Sequence, residues 1–292
     1  MTRNSTVVVT GAAGKLGSAV CRALLEHGHD VRATDVRYSA GHPLRLELGD
    51  LQDQLFAYRV LEGCDTVVHC GNHPNPFAGP PAPRLLAENA AMNGNVFWAA
   101  QDLGVQSIIF ASSIQVMLKF DGFRRQEPYS FPYFPLDGNA PPDPGLNAYA
   151  LSKDLAERML RVLCDERSEL AVTVLRFPML AADRWLEWMR SDRPIREDAL
   201  AWREALAYLL FPDAADLVRR IVEQPRPGYR QYFPAAAVEI SNLPVPELVR
   251  RHYGHVPLRR PLEELTSLID ATALSRDFGW EPQRVVTVEV NP

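Results

Sequence analysis

Tyr149 and Lys153 stand four residues apart in "NAYALSK", a spacing that puts both on one face of a helix. A free tyrosine, pKa about 10, is only about 0.1% ionised at pH 7. A lysine ammonium one turn away favours the phenolate and draws that pKa towards the working range. The pair can then move a proton at a substrate hydroxyl or carbonyl. Upstream, "FASSIQV" sets Ser112 and Ser113 at the end of an apolar run. A serine hydroxyl there can hold the substrate oxygen beside the phenol. A tyrosine and a lysine at this spacing are also what an amphipathic surface helix offers by chance, so the remaining residues decide between the two.

Those residues begin with "VVVTGAAGKLGSAV", 7 to 20, where β-branched residues run into Gly11, Gly14 and Gly17 before a helical pattern starts. The first glycine permits a tight turn, the second lets a pyrophosphate approach the main chain, and the third allows close helix–strand packing. The phosphates would meet unpaired N–H groups at the positive end of the helix dipole. A triphosphate-binding loop is excluded, because Lys15 is followed by Leu16 rather than Ser or Thr and the four-residue spacer is missing. Asp35 ends the next strand pattern, 18 residues after Gly17. A carboxylate there accepts hydrogen bonds from an adenosine ribose and repels a 2′-phosphate, which favours NAD over NADP. The neighbouring cations Arg37 and Lys15 keep NADP open. Asp50, in "GDLQD", fits either a contact to the adenine amino group or a helix N-cap.

Elements that position these groups follow from hydrophobic periodicity. Strands are expected at 6–10, 30–35, 44–48, 65–70, 107–113 and 171–177, and helices at 15–27, 53–62, 84–103 and 147–167. In the first helix Leu16, Ala19, Val20, Ala23 and Leu24 share a face, and Gly28 offers a C-terminal cap. Nearly continuous apolar strands separated by helices indicate an α/β fold with a doubly wound parallel sheet. Ligands bind such sheets at the C-terminal strand ends. Two proline- and aromatic-rich stretches, 73–83 and 119–145, follow strand ends and either line a pocket there or cap the sheet. After residue 178 the alternation weakens into helical segments near 185–190, 198–209 and 213–224 and a final strand at 285–290. This divides the chain into a dinucleotide-binding domain, 1–177, and a smaller substrate-binding lobe, 178–292, with segments returning to the first sheet.

The 292-residue chain is 47% hydrophobic with net charge −5. It shows no Lys/Arg run and no apolar run long enough to span a bilayer, which argues against nucleic-acid and membrane partners. Four widely spaced cysteines without a CxxC pair read as reduced thiols in a cytoplasm. "MTRNST" leads almost directly into the first strand, so no signal peptide is expected. No His/Cys/Asp/Glu cluster has metal spacing.

Taken together these motifs resemble the extended short-chain dehydrogenases/reductases, the NAD-dependent epimerase/dehydratase type. TGAAGKLG, the Asp35 strand end, GDL, "VVHCGN" (family VxHxAA), "NAAMNGNVFWAA" (family NxxGTxNxLxAA), the Ser-Ser strand and YALSK stand in family order. The resemblance implies a Rossmann sheet and a catalytic triad of Ser113, Tyr149 and Lys153, with Lys153 also holding the nicotinamide ribose. It implies cofactor contacts from Gly11, Ala13, Gly14, Lys15, Leu16, Gly17, Asp35, Asp50, Leu51, Cys70, Gly71, Asn89, Ala111, Tyr149, Lys153 and Pro178. His69, Cys70 and Gly71 would lie along the cofactor through their main chain. The chain departs from the pattern at Met117 (family Tyr), at Met92-Asn93 (family Gly-Thr) and in "RFPMLAAD", where the family carries a sugar-nucleotide segment.

The expectation is an NAD-dependent oxidoreductase or epimerase acting on a hydroxyl of a sugar, sugar acid or sugar nucleotide, without a metal and in a possible homodimer. Asn72 and His73 could touch substrate or simply occupy a solvated loop. Arg184 could bind a carboxylate or phosphate or lie on the surface. A catalytically silent NAD-sensing protein and a reductase of a non-sugar ketone or aldehyde are the alternatives.

Overall fold

The computed structural model describes residues 5–76, 79–118, 131–190 and 204–289. Its first half alternates as follows: β1 (Thr6–Thr10), α1 (Lys15–Glu26), β2 (Asp30–Asp35), β3 (Glu47–Leu48), α2 (Gln54–Leu61), β4 (Thr66–His69), α3 (Ala82–Asp102), β5 (Ser107–Ser113), α4 (Ala148–Glu166) and β6 (Ala171–Phe177). The second half contains β7 (Met179–Ala181), α5 (Asp183–Arg190), β8 (Ala207–Leu210), α6 (Phe211–Glu223), β9 (Gly228–Tyr232), β10 (Ala236–Ala237), β11 (Glu239–Ile240), α7 (Val245–His252), α8 (Thr272–Phe278) and β12 (Thr287–Val288).

Seven strands form one parallel sheet in the order β3-β2-β1-β4-β5-β6-β9. Every residue of β1, β4 and β6 is buried, as a sheet covered by helices on both faces requires. Strand order reverses between β1 and β4, and ligand crevices open at such a switch point. Gly28, at φ +79°, closes α1 by donating to the Leu25 carbonyl while His29 N–H donates to that of Leu24. β9 comes from beyond residue 178 and pairs with β6. A second core gathers around β8, β10 and α7 and includes Phe131, Tyr133, Phe134 and Leu136. Phe131 and Phe134 pack against Tyr253. The described aromatics of the 119–145 stretch are therefore core; 119–130 lie outside the described residues, as do 77 and 78 of the other proline-rich stretch.

Three expected elements differ. Of 44–48, only Glu47 and Leu48 form a strand, an edge strand paired on one side only. Of 285–290, Thr287–Val288 is strand, and 290 lies outside the described residues. The helix expected at 198–209 is replaced at its end by β8, while 198–203 lie outside the described residues. Ala205 and Leu206 have φ of 54° and 57°, which no right-handed helix accommodates, and the apolar run after them is buried between β7 and β10.

A buried ion pair joins the sheet to α4. Arg176 on β6 reaches Glu157 on α4 at 2.6 Å and also donates to the carbonyls of Gly138 (3.2 Å) and Ala140 (2.5 Å). Glu157 in turn accepts from the Ser112 hydroxyl at 2.5 Å. Removing one partner of such a pair strands the other charge away from water. Arg176→Met is therefore expected to lower the unfolding free energy by about 3–5 kcal/mol in urea denaturation. The Arg176→Met/Glu157→Leu double variant should regain more than half of that loss; a double variant no more stable than the single one would contradict the account.

Candidate functional site

The glycine turn meets the sheet at the strand C-terminal ends. Gly11 has φ +66°, and a Cβ there would lie 2.7 Å from the Cys70 carbonyl carbon, so the turn and the segment after β4 touch main chain to main chain. At Gly17 a Cβ would stand 2.4 Å from the Gly11 carbonyl oxygen, which enforces close packing of α1 on the turn. Gly14 differs. It is the N-cap of α1, and a Cβ on it would meet only the Gly11 oxygen, at 3.1 Å. No side chain caps α1, so no side-chain acceptor meets the positive end of the helix.

Asp35, at the end of β2, accepts from the Ala13 N–H and the Arg37 N–H, each at 3.0 Å. It thereby ties the turn to the strand beside it, with the Arg37 guanidinium 3.9 Å away. Lys15 is exposed, Leu16 packs against the core and Leu51 is buried. Asp50 accepts from the main-chain and side-chain N–H groups of Gln52. The N-cap of α2 is Asp53, which corrects the N-cap alternative for Asp50. The carboxyl three residues further on lies at the helix start, and Asp50 shapes the turn before it. Pro178 is buried directly after β6.

Ser113, Tyr149 and Lys153 come together at the end of β5. Asn147 caps α4 by accepting from the N–H groups of Tyr149 (3.1 Å) and Ala150 (3.2 Å). The Ser113 side chain is near enough to the Tyr149 phenol to pull its pKa down. Lys153 Nζ lies 5.8 Å from the Tyr149 ring centroid and 4.6 Å from that of Phe110. It donates to Asn72 Oδ1 and to the Ala111 carbonyl, each at 2.7 Å.

A directed hydrogen-bond chain follows from that ammonium, which can only donate. Asn72 must offer it the carbonyl oxygen, so its Nδ2 faces Asn93 Oδ1 at 3.0 Å and the Gly71 carbonyl at 2.8 Å. Asn93 Oδ1 also lies 3.0 Å from His69 Nε2, so that nitrogen carries a proton. Burial, with Lys153 nearby, holds His69 down at about 3, so the ring is neutral and Nδ1 accepts from the Thr10 hydroxyl at 2.7 Å. Thr10 Oγ1 then accepts from the Gly71 N–H at 3.1 Å. Asn93 Nδ2 is left buried with no described partner.

In the protein alone the Lys153 charge does not lower the phenol. Burial pushes Tyr149 up to about 12, against the pull of Ser113, with the charge of Glu204 raising it further. Burial likewise pushes Lys153 down to about 7. Desolvation dominates each group, and Lys153 directs its bonds to Asn72 and Ala111.

The other expected contacts are placed as follows. Asn89 is fully buried and braces two elements, donating to Ser152 Oγ at 3.0 Å and accepting from the His73 N–H at 2.9 Å. The His73 ring is held 2.6 Å from Glu88. The thiol of Cys70 is buried and held up at about 12, against the pull of Lys153, and all four cysteines are free. Arg184 is exposed on α5, and among the described residues nothing bonds it to the triad. Sequence reasoning missed the side-chain roles of Thr10, His69 and Asn93, and it missed Glu204, whose charge raises the phenol, and Gln115, which bonds Ser113 and Asn147. Asn147 had a legible signal, as an Asn before a helical run; Glu204 had none, since it fell in a segment with helical periodicity. No described helix is long and apolar enough to cross a membrane, and no described group of three or more His, Cys, Asp or Glu could hold a metal ion.

Residues 7–192 match the model of the NAD dependent epimerase/dehydratase family. The chain belongs to that family. It is 30% identical over 158 residues to uronate dehydrogenase of Pseudomonas syringae pv. tomato, covering 52% of each chain. It is 29% identical over 225 residues to L-arabinose 1-dehydrogenase (NAD(P)(+)) of Haloferax volcanii, covering 76% of this chain and 84% of that one. The chain thus spans about half the length of the first of these relatives. The fold is similar to that of uronate dehydrogenase from Agrobacterium tumefaciens, with a TM-score of 0.63 at 21% identity, over 96% of this chain and 85% of that one.

The neutral His69 makes a direct expectation. In ¹⁵N-resolved NMR its ring should hold the Nε2–H tautomer unchanged from pH 5 to 8. In an unfolded chain the same ring takes a proton near 6.5, so more protons are bound unfolded than folded below that pH. Stability is then lost as pH falls from 6.5 towards 3, by at most about 1.4 kcal/mol per pH unit from this group. A His69 resonance that titrates near 6.5, or an Nδ1–H tautomer, would contradict the chain of bonds.

Proposed function

We propose that this chain is an NAD-dependent oxidoreductase or epimerase acting on a hydroxyl of a carbohydrate-like small molecule. The observation that supports it most is Lys153 Nζ 5.8 Å from the Tyr149 ring centroid, one helical turn along α4, with Ser113 at the end of β5. The residues fit a dinucleotide. Gly14 leaves open the space in front of the uncapped start of α1, where a Cβ would otherwise stand, and phosphate oxygens would be received by the N–H groups there. Asp35 would take the adenosine ribose, and Lys153 the nicotinamide ribose. When bound, NAD accepts or returns the hydride.

Tyr149 removes the proton of the substrate hydroxyl as general base and returns it in the reverse direction as general acid. Ser113 holds the same oxygen and orients it towards the phenol. A protonated Lys153, joined by the positive charge that an oxidised nicotinamide would supply, would oppose the burial that raises the Tyr149 pKa. Release of the resulting ketone or lactone makes the enzyme a dehydrogenase, and return of the hydride to the other face makes it an epimerase. The relatives point to sugars of two kinds, a sugar acid and an uncharged aldose, judging by the names uronate dehydrogenase and L-arabinose 1-dehydrogenase.

Tyr149→Phe deletes one oxygen and keeps the ring, so the variant should fold and bind NAD like the parent while turnover falls roughly 10²–10⁴-fold. Near-full activity in that variant would mean that the proton leaves by another route, and the mechanism would be abandoned. Cofactor choice gives a separate check. Titration should show tighter binding of NAD than of NADP, with the gap narrowed in Asp35→Asn. Gly14→Val should lose NAD binding with its circular dichroism unchanged, whereas Gly17→Val should fail to fold; equal NAD affinity in a folded Gly14→Val would remove the phosphate cradle from the reading.

A further inference from the structure

Lys153 is 3% exposed, and its ammonium has three N–H groups and no lone pair. Two of those groups go to Asn72 Oδ1 and the Ala111 carbonyl, each at 2.7 Å, and among the described residues no acceptor meets the third. The ring centroid of Phe110 lies 4.6 Å away. The titratable groups around the ammonium give it little support. Cys70 is a buried thiol held up at about 12, His69 is neutral, and Tyr149 on the same helix is raised. Glu157, one turn further along α4, is the described carboxylate that favours the charge, and Arg176 already engages it at 2.6 Å. The ammonium therefore depends on neutral oxygens. One of them is main chain; the other belongs to the Asn72 side chain.

Asn72 is locked in the orientation that serves this. Its Nδ2 donates to the Gly71 carbonyl at 2.8 Å and to Asn93 Oδ1 at 3.0 Å. Half a turn of the amide would set Nδ2 against the ammonium and Oδ1 against two other oxygens. Asn93 cannot turn to relieve that, because its Oδ1 also takes the His69 Nε2–H at 3.0 Å, while His69 Nδ1 accepts from Thr10. Asn93 and His69 are fully buried. A run of side chains from β1, β4 and α3 thus ends in one oxygen aimed at Lys153. The family pattern carries Ala at the position of Asn72, and Ala has no such oxygen to offer.

We propose that Asn72 is a positioning residue for Lys153: its locked carbonyl oxygen retains the ammonium at a fixed point and leaves the third N–H to a ribose hydroxyl of the dinucleotide. The inference rests on the reading of this site as one that binds NAD. An oxygen bonded to the charged form of a group favours that form, and a bond from an ammonium is stronger than one from a neutral amine. Loss of the Asn72 oxygen therefore removes the Lys153 charge first and weakens the hold on the cofactor second.

The chain has three lysines, 15, 119 and 153, so protein labelled with [¹³Cε]lysine gives a spectrum simple enough to follow each one. The Lys153 resonance, assigned by its absence in Lys153→Met, is titrated from pH 5 to 10 without cofactor. Asn72→Leu keeps the shape and removes the oxygen, and should move the Lys153 titration down by about half a pH unit or more. Asn72→Asp supplies a carboxylate instead and should move it up by about one pH unit or more. Asn72→Ala, which installs the residue of the family pattern, should move it down and takes the place of the leucine variant if that one does not fold. Calorimetric titration with NAD at pH 8 should then show Asn72→Leu binding about threefold or more weakly than the parent. The gap should narrow at pH 6, where the lysine of both proteins is mostly protonated. A Lys153 titration that stays put in the variants overturns the proposal and leaves Asn72 a structural residue, even where stability falls. A moved titration with NAD affinity equal to the parent's overturns it as well. In both cases the parent's own NAD binding leaves the dinucleotide reading standing. A parent that binds no NAD removes that reading, and the ribose with it, whatever the lysine resonance does.

Discussion

Lys153 is an ammonium enclosed by protein, with no carboxylate in ion-pair contact among the described residues and with two carbonyl oxygens as its partners. Because it can only donate, it determines the direction of every bond behind it: which end of Asn72 faces it, which end of Asn93 faces Asn72, which nitrogen of His69 carries the proton, and which way the Thr10 hydroxyl turns. The last link is the Gly71 N–H, beside the glycine turn. The segment beside the glycine turn and the group beside Tyr149 are thus one connected polar structure inside an apolar sheet.

That connection rearranges two of the family's usual positions together. Asn72 stands where the family motif has Ala, and Asn93 where it has Thr, and the two side chains bond each other at 3.0 Å. Read along the chain they are separate departures, 21 residues apart. In space they form one bracket, and its cost is visible in the Asn93 Nδ2 that has no described partner.

Much of this was legible beforehand because it rests on periodicity and spacing. The buried strands read as apolar runs, the helices as 3.6-residue patterns, and the three glycines and the YxxxK pair as fixed offsets. What escaped was set by contacts distant in sequence. Glu204 belonged to a segment whose pattern fits a helix, and only the left-handed Ala205 and Leu206 turn it into the entry of β8. Thr10 and His69 looked like strand residues, which they are; their polar roles appear only when β1 and β4 lie side by side. Lys153 was expected to act on Tyr149, and burial, which spacing does not reveal, dominates both groups.

Thr10, His69 and Phe110 occupy the same rung across β1, β4 and β5. The His69 ring stacks on that of Phe110, and Lys153 sits over the same Phe110 ring. Side chains alternate faces along a strand, so a slip of one residue between β1 and β4 would send Thr10 and His69 to opposite sides of the sheet. In an all-apolar sheet such a slip would exchange one valine for another at little cost. Here it would strand an imidazole and leave an amide chain unfinished, so the polar groups of the site also proofread the pairing of the strands that carry them.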